Sequence, residues 1–220
     1  TKDSASVEII VYNVPNASFT INNNTQNLPA NAFIITNTSN IVTGAGPLSF
    51  KWNLGNGASS SASSLTYTYT NPGNYNIQLI AAAPNGCSDT ASADVTVLQT
   101  PSVNFSINDT SQCLNNNTFN FNNLSAFPSG TLSYKWLFGD GDSSSSVSPT
   151  HNYKSPGNYI VKLIATASNG TKDSASVEII VYNVPNASFT INNNIQNLPA
   201  NAFIITNTSN IVTGAGPLSF

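Results

Sequence analysis

Asp140 and Asp142 stand in the run Gly139-Asp140-Gly141-Asp142 and offer two carboxylates in a turn, the oxygen donors that Ca²⁺ takes. The same residues have a simpler use. Gly139 and Gly141 supply backbone angles open to glycine, and Asp140 accepts hydrogen bonds from amides of the turn. His151 is the only histidine, and no Cys or Ser stands beside it in a nucleophile motif. A serine-protease triad, a zinc site and a phosphate loop all lack their residue types. His151 is therefore expected to be packed or hydrogen-bonded. No catalytic residue and no cofactor are expected, and Asp140 and Asp142 are the candidates for a metal. Trp52 and Trp136 can be read as sugar-stacking platforms, but each lies on the apolar face of an alternating strand, so burial is expected.

The chain around these residues is unusual in its surface. Only 7% of its 220 residues are charged, against roughly 25% in ordinary soluble domains. Asn, Ser, Thr and Gln must therefore make most of the surface. The net charge of −3 and six scattered Lys and Arg give no basic patch, which argues against nucleic acid and anionic membrane as partners. No apolar run approaches the ~18 residues of a bilayer span, and no basic-then-apolar leader opens the chain.

Self-similarity dominates the sequence. Residues 1–50 recur at 171–220 with one change, Thr25 becoming Ile195, so the long period is 170 residues. Inside it, SFKWNLGNG (49–57) lies on SYKWLFGDG (133–141), and NPGNYNIQLIAAAPNG (71–86) on SPGNYIVKLIATASNG (155–170), both at an offset of 84. The early strands, Phe19 with Phe105 and Ile21 with Ile107, need an offset of 86. The unit is a pair of diverged domains copied in tandem, and the chain is expected to be a window on a longer repeating polymer.

Period-2 alternation defines the elements. Leu48, Phe50, Trp52 and Leu54 point one way, with Ser49, Lys51 and Asn53 the other; Leu132, Tyr134, Trp136 and Phe138 repeat the pattern. Phe19/Ile21, Phe33/Ile35, Leu65/Tyr67/Tyr69, Tyr75/Ile77/Leu79/Ala81 and Ala91/Ala93/Val95/Val97 read as further strands between Asn-, Gly-, Ser- and Pro-rich turns. Six or seven short strands in about 85 residues, with no helical period, predict an antiparallel sandwich.

The segment Tyr134-Lys135-Trp136-Leu137-Phe138-Gly139-Asp140-Gly141, followed by Pro149-Thr150-His151-Asn152-Tyr153 and Pro156-Gly157-Asn158-Tyr159, resembles the PKD (polycystic kidney disease) domain pattern of W-x-F-G-D-G, P-x-H-x-Y and G-x-Y. The first domain keeps Trp52, Gly55, Gly57, Tyr69, Gly73 and Tyr75 but has Asn56 for the turn Asp and Tyr67 for the His. The resemblance implies an all-β fold of tandem Ig-like antiparallel β-sandwiches, with Trp52, Trp136, Gly55, Gly57, Gly139, Gly141, Tyr75 and Tyr159 in structural roles. The domains read as 1–15, the last strand of a preceding PKD domain; 16–100 and 101–185, two PKD-like domains; and 186–220, the opening strands of a following one. Pro101 and Pro185 at the junctions predict an extended rod.

Bacterial PKD repeats resemble this chain in carrying Q-C-L early and N-G-C late. Here the first domain has Asn27 early and Cys87 late, and the second has Cys113 early and Thr171 late. Three outcomes stay open: a Cys87–Cys113 bridge across the domain junction, bridges to adjoining repeat units, or free buried thiols. Asn-x-Ser/Thr at Asn16, Asn37, Asn108 and Asn169 is what chance gives in so Asn-rich a chain. Asp3-Ser4-Ala5, Asp89-Thr90-Ala91 and Asp173-Ser174-Ala175 look like the Asp-Ser/Thr-small O-glycosylation acceptor of Bacteroidetes, or else are polar openings of the last strand, so Ser4, Thr90 and Ser174 are candidate acceptors. The expected function is the shaft of a long extracellular, cell-surface adhesin or filament of Bacteroidetes type. Its expected partners are neighbouring repeats of the same polypeptide, laterally associated chains, and a surface or glycan ligand outside this window. The alternative is a carbohydrate- or protein-binding accessory module of a secreted hydrolase.

Overall fold

A computed structural model describes residues 3–9, 11–42, 46–192, 194–195 and 202–210. They form strands and turns with no helix among the described residues, and so none long and apolar enough to cross a membrane. The chain divides into two compact units, residues 1–100 and 101–220.

In the first unit the strands are β1 (Phe19–Ile21), β2 (Thr25–Asn27), β3 (Phe33–Asn37), β4 (Ser49–Asn53), β5 (Ser59–Ser60), β6 (Leu65–Tyr67), β7 (Gly73–Ala82) and β8 (Ser88–Leu98). They make a three-stranded sheet, β1-β3-β6, facing a five-stranded one, β2-β8-β7-β4-β5. Alternation is what closes the sandwich. Along β7 every second residue, Ile77, Leu79 and Ala81, is fully buried, and across the register Trp52 lies opposite Leu79. Phe33, Ile35, Leu54, Tyr69, Val95 and Val97 complete the core.

The second unit repeats this design with β9 (Phe105–Ile107), β10 (Ser111–Cys113), β11 (Phe119–Asn123), β12 (Leu132–Leu137), β13 (Ser143–Ser144), β14 (Thr150–His151), β15 (Gly157–Ala167) and β16 (Lys172–Tyr182). Its sheets run β9-β11-β14 and β10-β16-β15-β12-β13, around Phe119, Phe121, Trp136, Phe138, Tyr153, Val161, Leu163, Ile179 and Val181. Two further strands, β17 (Phe189–Ile191) and β18 (Ile205–Asn207), pair in the same register as β1 with β3: Phe189 faces Asn207 as Phe19 faces Asn37.

The sandwiches are not wholly antiparallel. β2 runs parallel to β8, with Thr25 opposite Thr96, and β10 runs parallel to β16. The cause is local. Asn23 Oδ1 accepts the Thr25 N–H at 3.0 Å and Asn24 O accepts the Thr96 N–H at 2.7 Å, so an Asx turn carries the chain from one sheet to the edge of the other.

Identical segments have different surroundings. Val177, Ile179 and Val181 of β16 line the core side, the last two with 0% and 2% exposure, whereas their copies Val7, Ile9 and Val11 are 81–88% exposed. Likewise Phe33 is fully buried and its copy Phe203 is 49% exposed.

Candidate functional site

The turn after β12 holds the candidate cluster. Gly139 and Gly141 take φ of +88° and +101°, angles at which an L side chain is strained. Between them Asp140 turns its carboxylate back on the loop: Oδ1 accepts the Asp142 N–H at 3.0 Å, and Oδ2 lies 2.7 Å from His151 Nε2. The His151 ring stacks on Phe138 at 4.0 Å and meets Tyr153 edge-on at 4.6 Å. Donor atoms of Asp140, Asp142 and His151 all lie within 4.8 Å of one another. For a Ca²⁺ ion, which takes 6–8 oxygens, the set is poor: one donor is an imidazole, and both oxygens of Asp140 are engaged within the protein.

The first domain builds the same turn from neutral groups. Asn56 Oδ1 accepts the Ala58 N–H at 3.2 Å, and Asn56 Nδ2 donates to the Tyr67 hydroxyl at 2.9 Å. Tyr67 lies opposite Phe33, as His151 lies opposite Phe119. A hydrogen bond from turn to strand is thus the shared feature, and its charge is not.

Burial works against charge on Asp140, but hydrogen bonds from His151 and the Asp142 N–H outweigh it and hold the carboxyl below its usual range. The associated stability is present above the unfolded carboxyl value of about 4 and is lost as pH falls through the lower folded one. Acidification below about pH 4 is therefore expected to lower the unfolding midpoint of the second domain. Asp140→Asn should flatten that limb in denaturant titrations taken across pH; an unchanged limb would show that other carboxylates set it.

Both tryptophans are fully buried, which removes them as sugar platforms. Trp52 Nε1 donates to Ala62 O at 2.8 Å and Trp136 Nε1 to Ser146 O at 3.0 Å, so neither leaves its polar atom unpaired. Between residues 16 and 181 no described aromatic side chain is exposed. Tyr75 and Tyr159 stack on Tyr69 and Tyr153 at centroid distances of 3.9 and 4.1 Å. Gly55 and Gly139 pack against the backbone of Asn76 and Ile160.

Two positions escaped the sequence reading. Asn117 is 4% exposed; its Oδ1 accepts the Tyr153 N–H at 2.7 Å, and its Nδ2 donates to Tyr153 O at 2.9 Å and to Leu114 O at 2.7 Å. Asn31 clamps Tyr69 in the same way, at 2.8 Å for both bonds. Each amide stands in for a missing strand neighbour, satisfying backbone groups that burial would otherwise leave unpaired. The clamped tyrosines then donate to Leu54 O and Phe138 O, both at 2.7 Å. Burial pushes the Tyr69 hydroxyl up to about 12 and raises that of Tyr153 as well, so both remain protonated donors.

Cys87 and Cys113 are free thiols, the first half-buried and the second exposed. Ser4, Thr90 and Ser174 are exposed. Beside Thr90, Asp89 Oδ2 accepts the Ala17 N–H at 2.8 Å, and Asp173 Oδ1 accepts the Ser174 N–H at 2.8 Å.

A family model described as "PKD domain" matches twice, at residues 15–97 and 99–181. A search of the curated proteins finds no match. Among solved structures, the PKD1 domain of Vibrio anguillarum Epp is 31% identical over 38% of this chain and 94% of its own, with a TM-score of 0.34. The PKD1 domain of the Vibrio cholerae metalloprotease PrtV is 30% identical over 37% and 96%, also at 0.34. The fibronectin(III)-like modules of Clostridium thermocellum CbhA are 16% identical over 76% and 95%, at 0.36.

Proposed function

Because this chain belongs to the PKD domain family, we propose that it is a structural and adhesive repeat segment, the shaft of a long Bacteroidetes-type cell-surface adhesin or filament, and performs no catalysis. One observation carries the reading. Residues 1–50 recur almost unchanged at 171–220, a period of two sandwiches, and the one cluster of candidate metal-ligating side chains among the described residues, built on Asp140 with His151, has in the sister sandwich the neutral pair Asn56 and Tyr67 in the same turn-to-strand bond. Groups kept for chemistry would be kept in kind; groups kept for structure need only keep the bond. On this reading Asp140 and Asp142 hold no Ca²⁺.

Residues 1–15 and 186–220 are then parts of neighbouring domains. The exposure of Val7, Ile9 and Val11, whose copies in β16 face a core, supports this. Sandwiches joined in series through Pro101 and Pro185 would give such a shaft reach and resistance to load, each domain unfolding separately. The surface carries few charges, since only 7% of residues are charged, and Thr90 and Ser174 are exposed, open to O-linked sugar on this reading.

The competing reading, an accessory module that binds polysaccharide, is favoured only by the presence of such a domain in a metalloprotease. Sugar-binding surfaces are rich in exposed aromatics, and in the two sandwiches Tyr182, at 36%, is the one exposed aromatic among the described residues. On a glycan array the chain is expected to give no saturable signal. Binding that competes with free oligosaccharide would favour the accessory module.

A further inference from the structure

Each cysteine sits at one end of its sandwich, and the two ends are opposite in kind. Cys87 closes the β7–β8 turn: its carbonyl accepts the Ala83 N–H at 2.8 Å, and its own N–H donates to Asn85 Oδ1 at 3.0 Å. Two residues on, Asp89 Oδ2 takes the Ala17 N–H, so this is the end at which the chain arrives in the first sandwich. The length of β8, about 36 Å at 3.3 Å per residue, separates Cys87 from Leu98, where the chain leaves. Cys113 ends β10, opposite Tyr182 in parallel register, at the end where the chain leaves the second sandwich.

The sister positions fall at the other junction. Asn27 lies opposite Leu98, as Cys113 lies opposite Tyr182. Thr171 accepts the Ala167 N–H at 2.8 Å, as Cys87 accepts that of Ala83. The departing end of the first sandwich and the arriving end of the second thus carry Asn27 and Thr171. The departing end of the second carries Cys113, and the arriving end of a first-type sandwich carries Cys87. Both cysteines therefore belong to one kind of junction, and both are missing from the other.

Residues 186–220 copy residues 16–50, so a first-type sandwich begins just beyond the second one. From Tyr182, beside Cys113, to Ala187, the copy of Ala17, the chain advances five residues, a reach of at most about 18 Å. We infer that Cys113 forms a disulfide with the copy of Cys87 in the repeat that follows, so that every second junction of the array is closed covalently. This rests on the reading of the chain as a segment of a tandem array. The bond forms by thiol–disulfide exchange. One thiolate attacks a small-molecule or protein disulfide, and the second thiolate displaces the mixed disulfide. The oxidant takes up two electrons and the two thiol protons and leaves as two thiols. The product gives each pair of sandwiches one stapled joint and one unstapled joint.

The test compares the 220-residue chain with the same chain extended past Phe220 by residues 51–100, which restores the copy of Cys87. Both are equilibrated with oxidised and reduced glutathione, alkylated without reduction and mapped by mass spectrometry. In the extended chain, Cys113 and the added cysteine are expected to escape alkylation and appear as one linked peptide, while Cys87 is alkylated. Cys87→Ser should leave that link intact, and Ser at the added position should abolish it. In the shorter chain both thiols should be alkylated. Free thiols throughout the extended chain, or a Cys87–Cys113 link in the shorter one, would overturn the inference. Either result leaves the shaft reading to its own test, because thiol mapping does not depend on it.

Discussion

Trp136→Ala is expected to unfold the second sandwich under conditions in which the first stays folded. The indole is fully buried and central, 5.0 Å from the ring of Phe105 and 5.3 Å from that of Phe121, with its N–H bonded to Ser146 O. Removing so large a buried ring costs about 3–5 kcal/mol in transfer and cavity terms. A domain of about 85 residues has in total roughly 4–13 kcal/mol, at 0.05–0.15 per residue, so the change removes between about a quarter and all of its margin. The remaining tryptophan, Trp52, then reports only the first sandwich. Urea titration should show the Trp52 fluorescence transition in place and the circular-dichroism transition of the second sandwich shifted far down or lost. A single unshifted transition in both signals would show that Trp136 does not hold that core.

Gly139→Ala is expected to be nearly as damaging, and Gly141→Ala much less so, although the two residues flank the same aspartate. Both have positive φ, so a side chain at either position is strained by about 1–2 kcal/mol. Only at Gly139 does the new Cβ also collide with backbone, 2.9 Å from Ile160 O and 3.0 Å from Ile160 N; at Gly141 it meets nothing within 4 Å. Since β15 cannot retreat without disturbing its ladders to β12 and β16, the collision adds about 1–3 kcal/mol of overpacking. The sister turn repeats the contrast, with Gly55 against Asn76 O at 2.7 Å and Gly57 in open space. Midpoints of denaturant unfolding check the pair in each domain. Equal losses at both glycines would mean that backbone strain alone governs the turn.

Much of this architecture is written in alternation. Wherever buried residues recur every second position, as along β4, β7, β12 and β15, strand and core side are both legible, and Trp52 and Trp136 fall inside as the pattern requires. β2 and β10 are not legible this way. Thr25–Asn27 and Ser111–Cys113 carry no apolar alternation, because they hang on a sheet edge through backbone bonds and through the amides of Gln26 and Gln112, which bridge to the backbone of Ala32 and Thr118. The clamps Asn31 and Asn117 look like any other Asn in a chain full of them. Their one signal is that both keep their place at the offset of 86 that relates the early strands.

The candidate site shows the same division. That Asp140 and His151 correspond to Asn56 and Tyr67 follows from the repeat. That each pair makes one hydrogen bond depends on the turn returning toward β6 or β14, which spacing does not reveal. The cysteines are the clearest case. Sequence shows only their spacing along the chain, whereas the folds put Cys87 in the β7–β8 turn near Ala17 and Cys113 beside Tyr182.

The shaft itself is tested most directly by electron microscopy of the native assembly. Each sandwich is about as long as its 11-residue strands, β8 and β16, or some 30–40 Å at 3.3 Å per residue with its connector. Extended filaments with an axial repeat of about 60–80 Å, one period for each pair of sandwiches, are the predicted result. Compact particles without an axial repeat would contradict it.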